Sequence, residues 1–516
     1  MRFLPVSPRA VLVELEDLAQ TLALFDALTA DPVAGVAEIV PAARTLLVRL
    51  APGHATGPAL VEAIMARQPA MRQGSDAVSE MVEIPVTYDG ADLADVAAHL
   101  GLSVAEVIAA HQAATWQVAF CGFAPGFAYM TGDDPRFDLP RRPAPRTRIP
   151  AGSVALAGRF CGIYPQETPG GWQLIGRTEV PMWDLARDPP ALLRPGVRAR
   201  FVPARGKVTA MPRTVPQPEA TPALTVTSTA FPMLFQDAGR PGQTGQGVAA
   251  SGALDLGALR RANRAVGNPA DAPALEITLG PVRLRAEQAV TLALSGAMDR
   301  AEIAGSGPVD PRAPFALDAG DELLLHPPAA GMRSYLALRG GFEVAPVLGS
   351  AATDTLAFIG PPEVTAGTGL GAARRPAQAV APQPPSPALP RSGDLVTLPV
   401  TLGPRADWFT PEMVAQFLAT DWLVTPQSSR VGIRLQGDQP VTRPDARELP
   451  SEGTETGAIQ IPHSGQPVLF LADHPLTGGY PVIATVLPSA LDLAGQIPPG
   501  ARIRFAATAP FATILR

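Results

Sequence analysis

One nine-residue pattern occurs twice, far apart in the chain: Thr168-Pro169-Gly170-Gly171-Trp172-Gln173-Leu174-Ile175-Gly176 and Leu476-Thr477-Gly478-Gly479-Tyr480-Pro481-Val482-Ile483-Ala484. Each copy sets Gly-Gly before an aromatic residue. Each is followed by Pro-Gly-x-Arg-x-Arg-Phe, at 195–201 and again at 499–505. Weaker echoes of that closing segment stand at 319–327 (AGDELLLHP) and 392–400 (SGDLVTLPV). Two ordered matches of this kind are what duplication of one structural plan leaves behind. Between them lie short apolar segments divided by Pro and Gly, which predicts closed or nearly closed β structure.

Composition agrees. Of 516 residues, 59 are Pro and 48 are Gly, with no period of three, so the chain is turn-rich and globular, not collagen-like. With 46% hydrophobic and 17% charged residues it can bury a sizeable core, and its length predicts three or four domains. A net charge of −6 argues against a nucleic-acid or anionic-membrane partner. Lys207 is the only lysine, in ARGKVTA, which excludes a Walker A loop, a biotinyl-lysine and a Schiff-base lysine on this sequence. Cys121 and Cys161 define neither a disulfide framework nor a metal site, and the six histidines show no metal spacing, so no metal ligand is assigned. No run reaches 18 apolar residues and MRFLPVSPRA lacks a signal core; the expectation is a cytoplasmic chain.

Residues 1–80 read as a small α/β domain: strands at AVLVEL, VAEIV and TLLVRL, a helix carrying Leu18, Leu22, Phe25 and Leu28 on one face, and a second helix at GPALVEAIMARQ. A β-rich unit spans 81–211, with a strand at MVEIPVTYDG and two short helices. The second helix starts at Ser103 with Glu106 three residues on, a capping box. PRTVPQPEATP (212–222) reads as a linker. A second β-rich lobe covers 223–373, with one helix for which Ser251 is the expected cap. Residues 374–393 read as a Pro/Ala-rich connector between order and flexibility, and 394–516 resume the β pattern.

Several segments have two readings. The aromatics around Pro125-Gly126 in CGFAPGFAYM either wall a pocket for a flat ligand or fill a barrel core. Arg141, Arg142, Arg146 and Arg148 either fork onto an anion or line a solvated loop. The Gly-Gly turns either expose N–H donors to an anion or simply form hairpins, leaving Glu167, Asp473, His474 and Thr477 as polar candidates. In QDAGRPGQTGQGVAASGALD, Asp237, Arg240, Ser251 and Asp255 precede a helix, where Ser251 either meets an anion or serves as a cap. His111 shares a helical face with Val107 and Ile108 and reads as a core residue rather than a base. The absence of GxSxG disfavours an α/β-type hydrolase.

Residues 80–203, through FCGFAPGFAYM, LPRRPAPRTRIPAGSVALAG and GIYPQETPGGWQLIGRT, resemble allophanate hydrolase subunit 1, the kinase-inhibitor-like family. Residues 223–510, through QDAGRPGQTGQGVAASGALD, ANRAVGNPADAPALEITLG, YLALRGGFEVAPVLGS and GAIQIPHSGQPVLFLADHPLTGGYPVIATV, resemble subunit 2, the biotin-dependent carboxyltransferase-like family. The chain looks like a fusion of the two. The resemblance implies a mainly β fold with α/β additions: cyclophilin-like β-barrels plus the small N-terminal α/β domain. It also implies the B and C components of an ATP-dependent 5-oxoprolinase, opening the lactam of 5-oxoproline to glutamate with a separate A component of the lactam-utilisation family.

ATP with Mg²⁺ is then the cofactor, held by this chain or by the partner, with no biotin attached here. The partners are the A component of 5-oxoprolinase and a small molecule, and a homo-oligomer is compatible. The site residues carried over are Asp237, Arg240 and Asp473 as catalytic groups, with Arg240 and Arg148 as anion clamps. Pro125, Gly126, Arg148, Gly170, Gly171, Trp172, Ser251, Gln460, Thr477, Gly478 and Tyr480 are the substrate-binding candidates. Two alternatives stand beside this one: a carboxyltransferase component of a urea or amide carboxylase with biotin carried elsewhere, and a kinase-binding regulator.

Overall fold

The computed structural model describes residues 1–67, 80–142, 144, 146–204, 221–381, 383–384, 386–444, 447 and 449–515. Lys207 and nearly all of the expected linker lie outside them.

The duplication is real at the level of strand order. In the first barrel the order is Met81–Val86, Arg198–Pro203, Trp116–Cys121, Ala128–Gly132, Phe160–Ile163, Ser153–Ala157, Gln173–Arg177. Thr87 and Arg177 exchange two backbone hydrogen bonds of 2.8 Å and bring the last strand back to the first. In the second barrel the order is Leu395–Leu402, Arg502–Ala507, Trp422–Val424, Gly432–Gln436, Val468–Phe470, Ala458–Gln460, Val482–Val486, and it closes. In both, the strands that come earliest and latest in sequence lie side by side in parallel, Met81 opposite Arg198 and Leu395 opposite Arg502. The Arg-x-Arg-Phe repeat explains the inward face: with a period of two, Ala199 and Phe201, like Ile503 and Phe505, point into the core while the arginines point out.

Each barrel is stoppered by a helix. Val104–Ala113 carries the expected capping box of Ser103 and Glu106, and Pro411–Ala419 is capped by Thr410 with Pro411 in its first turn. Five residues beyond a helix ring, a tryptophan ties back: Trp116 Nε1 donates to the His111 carbonyl at 3.2 Å, and Trp422 Nε1 to that of Phe417 at 2.9 Å. The His111 ring lies 4.4 Å from Phe201, and Phe417 lies 4.9 Å from Phe505. His111 therefore occupies the place of a core phenylalanine.

The N-terminal sheet, ordered Arg2–Ser7, Ala10–Glu14, Thr45–Leu50, Val36–Pro41, has two apolar faces. One, with Val11, Val13 and Val48, is covered by helices Leu18–Ala30 and Pro58–Ala66. The other, with Leu4, Leu12 and Leu47, packs on Leu476 of the second barrel. The first helix departs from the single face expected for it: Leu24 and Leu28 pack on its own sheet, whereas Leu18 and Leu22 pack on the aromatic cluster of the first barrel. It is a spacer with two apolar sides. Buried Arg405 bonds Glu14 at 2.7 Å and also pairs with Glu452, fastening the N-terminal unit to the second barrel.

The middle lobe stacks a six-stranded sheet and a five-stranded sheet between Pro222 and Gly371. Its helix Leu256–Ala265 is capped by Asp255, whose carboxylate accepts from Ala258 N at 2.7 Å. Ser251, the expected cap, instead sits at φ 55° with its hydroxyl turned to Asp473. Part of the 374–393 connector is held against the middle lobe: Gln378 N bonds Gly267 O at 2.8 Å and Ala381 N bonds Ala265 O at 2.9 Å. Among the described residues no single helix is long and apolar enough to cross a membrane.

Candidate active site

The duplicated glycine turns meet. In the first barrel Thr168–Gly170 pairs with Arg146–Ile149, and in the second Thr477–Gly478 pairs with Glu452–Gly453. Both turns border one cavity of about 420 Å³. The first barrel supplies an aromatic wall of Phe123, Phe127, Tyr129, Tyr164 and Trp172, with Arg141 and Arg142; the second supplies Ser451, Gln460, Thr477 and Tyr480, with Arg443 and His463. The described lining contains no Asp or Glu. A flat, partly apolar anion fits such a surface: rings pack on rings, and guanidinium forks accept the charge. The glycines are there for space. A Cβ on Gly170 would stand 2.4 Å from the Tyr164 hydroxyl, and one on Gly478 would stand 2.5 Å from Gln460 Nε2.

Charge is ordered around this cavity. Buried Asp92 accepts from Arg146 at 2.7 and 2.8 Å, from Leu174 N at 2.8 Å and from Arg142. Burial opposes its ionisation, but Arg146, the Leu174 N–H and Arg142 outweigh it and hold its pKa below the ordinary value. Two of the four clustered arginines are thus clasped to a carboxylate rather than solvated. The Tyr129 phenol is pushed up by burial, against the opposing pull of Ser451, Arg141 and Thr477. Tyr164 is pushed up by burial as well, with Tyr129 adding to it. Both phenols are therefore neutral and able to donate.

Of the expected binding residues, the cavity gathers Gly170, Gly171, Trp172, Gln460, Thr477, Gly478 and Tyr480. Pro125 and Gly126 lie behind its wall, where Gly126 N bonds Gln246 O at 2.9 Å and ties the first barrel to the middle lobe. Arg148 is solvent-exposed and pairs with Glu167 at 2.7 Å. Phe123, Phe127 and Tyr129, from the segment read as either a pocket wall or a barrel core, and Arg141 and Arg142, read as either anion forks or a solvated loop, also line it; Tyr164, Arg443, Ser451 and His463 do so without having been assigned as site residues from sequence.

Asp237, Arg240, Ser251 and Asp473 do not line the cavity. They meet in a buried cluster where the middle lobe joins the second barrel. Asp473 accepts from Ser251 Oγ at 2.6 Å, from Thr355 Oγ1 at 2.8 Å and from Arg430 Nε at 2.9 Å. Arg430 also reaches Glu276 at 2.5 Å. Asp237 accepts from Ser350 Oγ at 2.6 Å and Ala351 N at 2.7 Å, while Arg240 donates to Ala352 O. Burial opposes the charge on Asp473, but Arg430 outweighs it and keeps the carboxylate ionised. The cluster anchors the start of the segment 473–480, which carries Pro475 and Thr477 into the cavity.

One nucleophile-like arrangement is inert. Cys161 Sγ lies 3.5 Å from His111 Nε2, and the Tyr88 hydroxyl lies 2.8 Å from His111 Nδ1. Burial drives His111 down to about 3 and Cys161 up, so the pair is neutral, and neither residue borders the cavity. Among the described residues no group of three His, Cys, Asp or Glu could hold a metal ion.

Fold and cavity define a carboxyltransferase-type protein, and the chain belongs to that family. The pattern for "Carboxyltransferase domain, subdomain A and B" matches residues 246–507, and that for subdomain C and D matches residues 1–193. Among similar proteins, the C component of 5-oxoprolinase from Escherichia coli K12 is 39% identical over 273 residues, covering 52% of this chain and 86% of that protein. The B component of 5-oxoprolinase from Escherichia coli O157:H7 is 51% identical over 130 residues, covering 25% of this chain and 60% of that protein. Urea amidolyase of Lachancea kluyveri is 34% identical over 313 residues, 55% of this chain but 17% of that protein. The crystallised protein TTHA0988 superimposes with a TM-score of 0.83 at 36% identity, over 96% of this chain and 99% of its own. The two resemblances read from the sequence are thus joined in one mainly β chain.

Proposed function

We propose that this chain is the joined B and C component of an ATP-dependent 5-oxoprolinase, which opens the lactam of 5-oxoproline to glutamate together with a separate A component. One observation carries the reading: the half similar to the B component and the half similar to the C component wall a single cavity suited to a small ring acid. The aromatic wall takes the ring and the guanidinium groups take the carboxylate, which seats the lactam in one orientation for attack. Asp237, Arg240, Ser251 and Asp473 act through position, by fixing the segment that carries Thr477 and Gly478. The residues of the cavity do not fit Mg²⁺-bound ATP, because the described lining offers no carboxylate ligand. We assign the nucleotide to the A component and the complex to the cytoplasm.

The test mixes the purified chain with the A component, ATP, Mg²⁺ and 5-oxoproline and measures glutamate. Glutamate is expected only from the complete mixture. A second reading, a carboxyltransferase served by biotin on another protein, is favoured by the family match and by the urea amidolyase relative. Absence of glutamate together with biotin-dependent carboxyl transfer would establish that reading instead.

A further inference from the structure

The seam between the barrels holds a phenol hydroxyl that faces hydroxyl side chains of the opposite barrel. Tyr129 projects from the strand Ala128–Gly132, and its ring is gripped on several sides. It stacks on Phe120 at 4.4 Å and meets Phe127, Trp172 and Phe160 edge-on at 5.1, 5.5 and 5.5 Å. The residue is 5% exposed and lines the cavity. Its phenol end faces Ser451 and Thr477, which come from the other barrel. Thr477 Oγ1 is buried beside the Tyr129 hydroxyl, and no hydrogen bond of ordinary geometry reaches it among the described residues. A buried hydroxyl left without a bond of good geometry is destabilising until something bonds it. A ligand oxygen between Tyr129 and Thr477 would satisfy it.

The chemistry of the donors says which oxygen. Burial keeps the phenol protonated, so it donates as a neutral group. The charged donors of the cavity are guanidiniums, and Arg443 Nη1 is likewise buried without a partner among the described residues. Full charge suits the carboxylate. Rigid neutral donors suit a carbonyl oxygen that gains negative charge as its carbon is attacked.

Resting on the reading above, we infer that Tyr129 and Thr477 form a two-sided donor site for the ring carbonyl oxygen of the bound lactam, and that Tyr129 is the residue that selects lactams over other ring acids. Because one donor comes from each barrel, the carbonyl is read only when both barrels are in place.

The test uses calorimetric binding of 5-oxoproline and of cyclopentanecarboxylate, which keeps the acid and the five-membered ring but lacks the carbonyl. It is run on the full chain, alone and with the A component, without nucleotide. Tyr129→Phe keeps the ring packing and removes only the hydroxyl. It is expected to weaken 5-oxoproline by about 3- to 10-fold and leave cyclopentanecarboxylate unchanged, so that the preference between them shrinks by that factor. Thr477→Val is expected to do the same. With ATP and the A component, kcat of Tyr129→Phe should fall by a larger factor than KM rises, since the bond strengthens as the oxyanion forms. Equal weakening of both ligands, or no weakening of either, overturns the inference while leaving the functional reading intact. A parent chain that binds no 5-oxoproline, alone or with the A component, overturns the functional reading and this inference with it.

Discussion

Replacing Asp354 by Asn should abolish a specific part of the pH dependence of stability. Asp354 is buried beside Asp473 and Arg240. Burial, then the Asp473 charge, push its carboxyl from 3.8 up to about 7, against the pull of the Ala357 and Leu356 N–H groups and of Arg240. The unfolded chain loses this proton near 4, whereas the folded chain keeps it to about 7. Below 4 both states hold the proton, and there is no penalty. Between 4 and 7 the folded state loses stability with every unit of rising pH, and above 7 the loss is complete. Roughly three units at about 1.4 kcal/mol each give about 4 kcal/mol. Asparagine mimics the protonated acid, and its Oδ1 can still accept from Leu356 N and Ala357 N, bonds of 3.0 and 2.8 Å in the parent. The two proteins should therefore match at pH 4, and the variant should lead by up to about 4 kcal/mol at pH 8. Urea unfolding followed by tryptophan fluorescence reads this, since Trp183 packs on Val347 and Ile359 of the same loop. A gap that stays constant from pH 4 to pH 8, or a parent that is the more stable at pH 8, would refute the reasoning.

Arg405→Ala should cost about 3–5 kcal/mol in denaturant, because buried Glu452 loses its counter-charge; a loss below about 1 kcal/mol would show that the pair behaves like a surface bridge. His111→Phe should retain glutamate formation in the reconstituted assay, since Phe417 holds the same place in the second barrel and what is lost is the Tyr88 hydrogen bond and the 3.5 Å contact with Cys161 Sγ; abolished activity with an intact fold would make His111 a functional base. Gly170→Ala drives a methyl group against the Tyr164 hydroxyl and should lower stability by about 1–3 kcal/mol. Gly478→Ala meets only the movable end of Gln460, so it should weaken ligand binding while leaving the unfolding midpoint in place. Undiminished 5-oxoproline affinity in Gly478→Ala would remove that turn from the site.

What the sequence shows of the fold is what is local. Turn glycines, the Ser103–Glu106 capping box and the two Pro-Gly-x-Arg-x-Arg-Phe strands each act within a few residues, and all form as read. Pairings across long separations leave no such mark. Nothing in the spacing joins Ser251 to Asp473, or Arg142 and Arg146 to Asp92. Ser251 and Asp255 are both good capping residues, and only the geometry at Ala258 N decides for Asp255. The two readings of the Pro125-Gly126 aromatics merge, because Phe127 and Tyr129 pack with the other rings and border the cavity at once. Ser451 had a usable signal: the strand beside it pairs with Thr477–Gly478 as Arg146–Ile149 pairs with Thr168–Gly170, so carrying the repeat one strand upstream leads to it.

The duplication also locates where the chemistry has to lie. Parts that are alike in the two barrels, namely the parallel closing strands, the tryptophan ties and the glycine turns, serve folding and approach. Parts that differ carry the asymmetry a ligand needs. The first barrel brings five aromatic rings to the cavity, and the second brings hydroxyl and amide groups at Ser451, Thr477 and Gln460. Neither set alone makes a site for a molecule with one apolar and one polar side. The contact that mates them leaves no slack: Gly122 of the first barrel lies so near Thr477 that a Cβ there would come within 2.4 Å of its hydroxyl. Joining the barrels in one chain raises their effective concentration without adding a contact. The shape of the cavity is set by this non-covalent seam, so separately made halves that re-form it should carry the same chemistry as the fused chain.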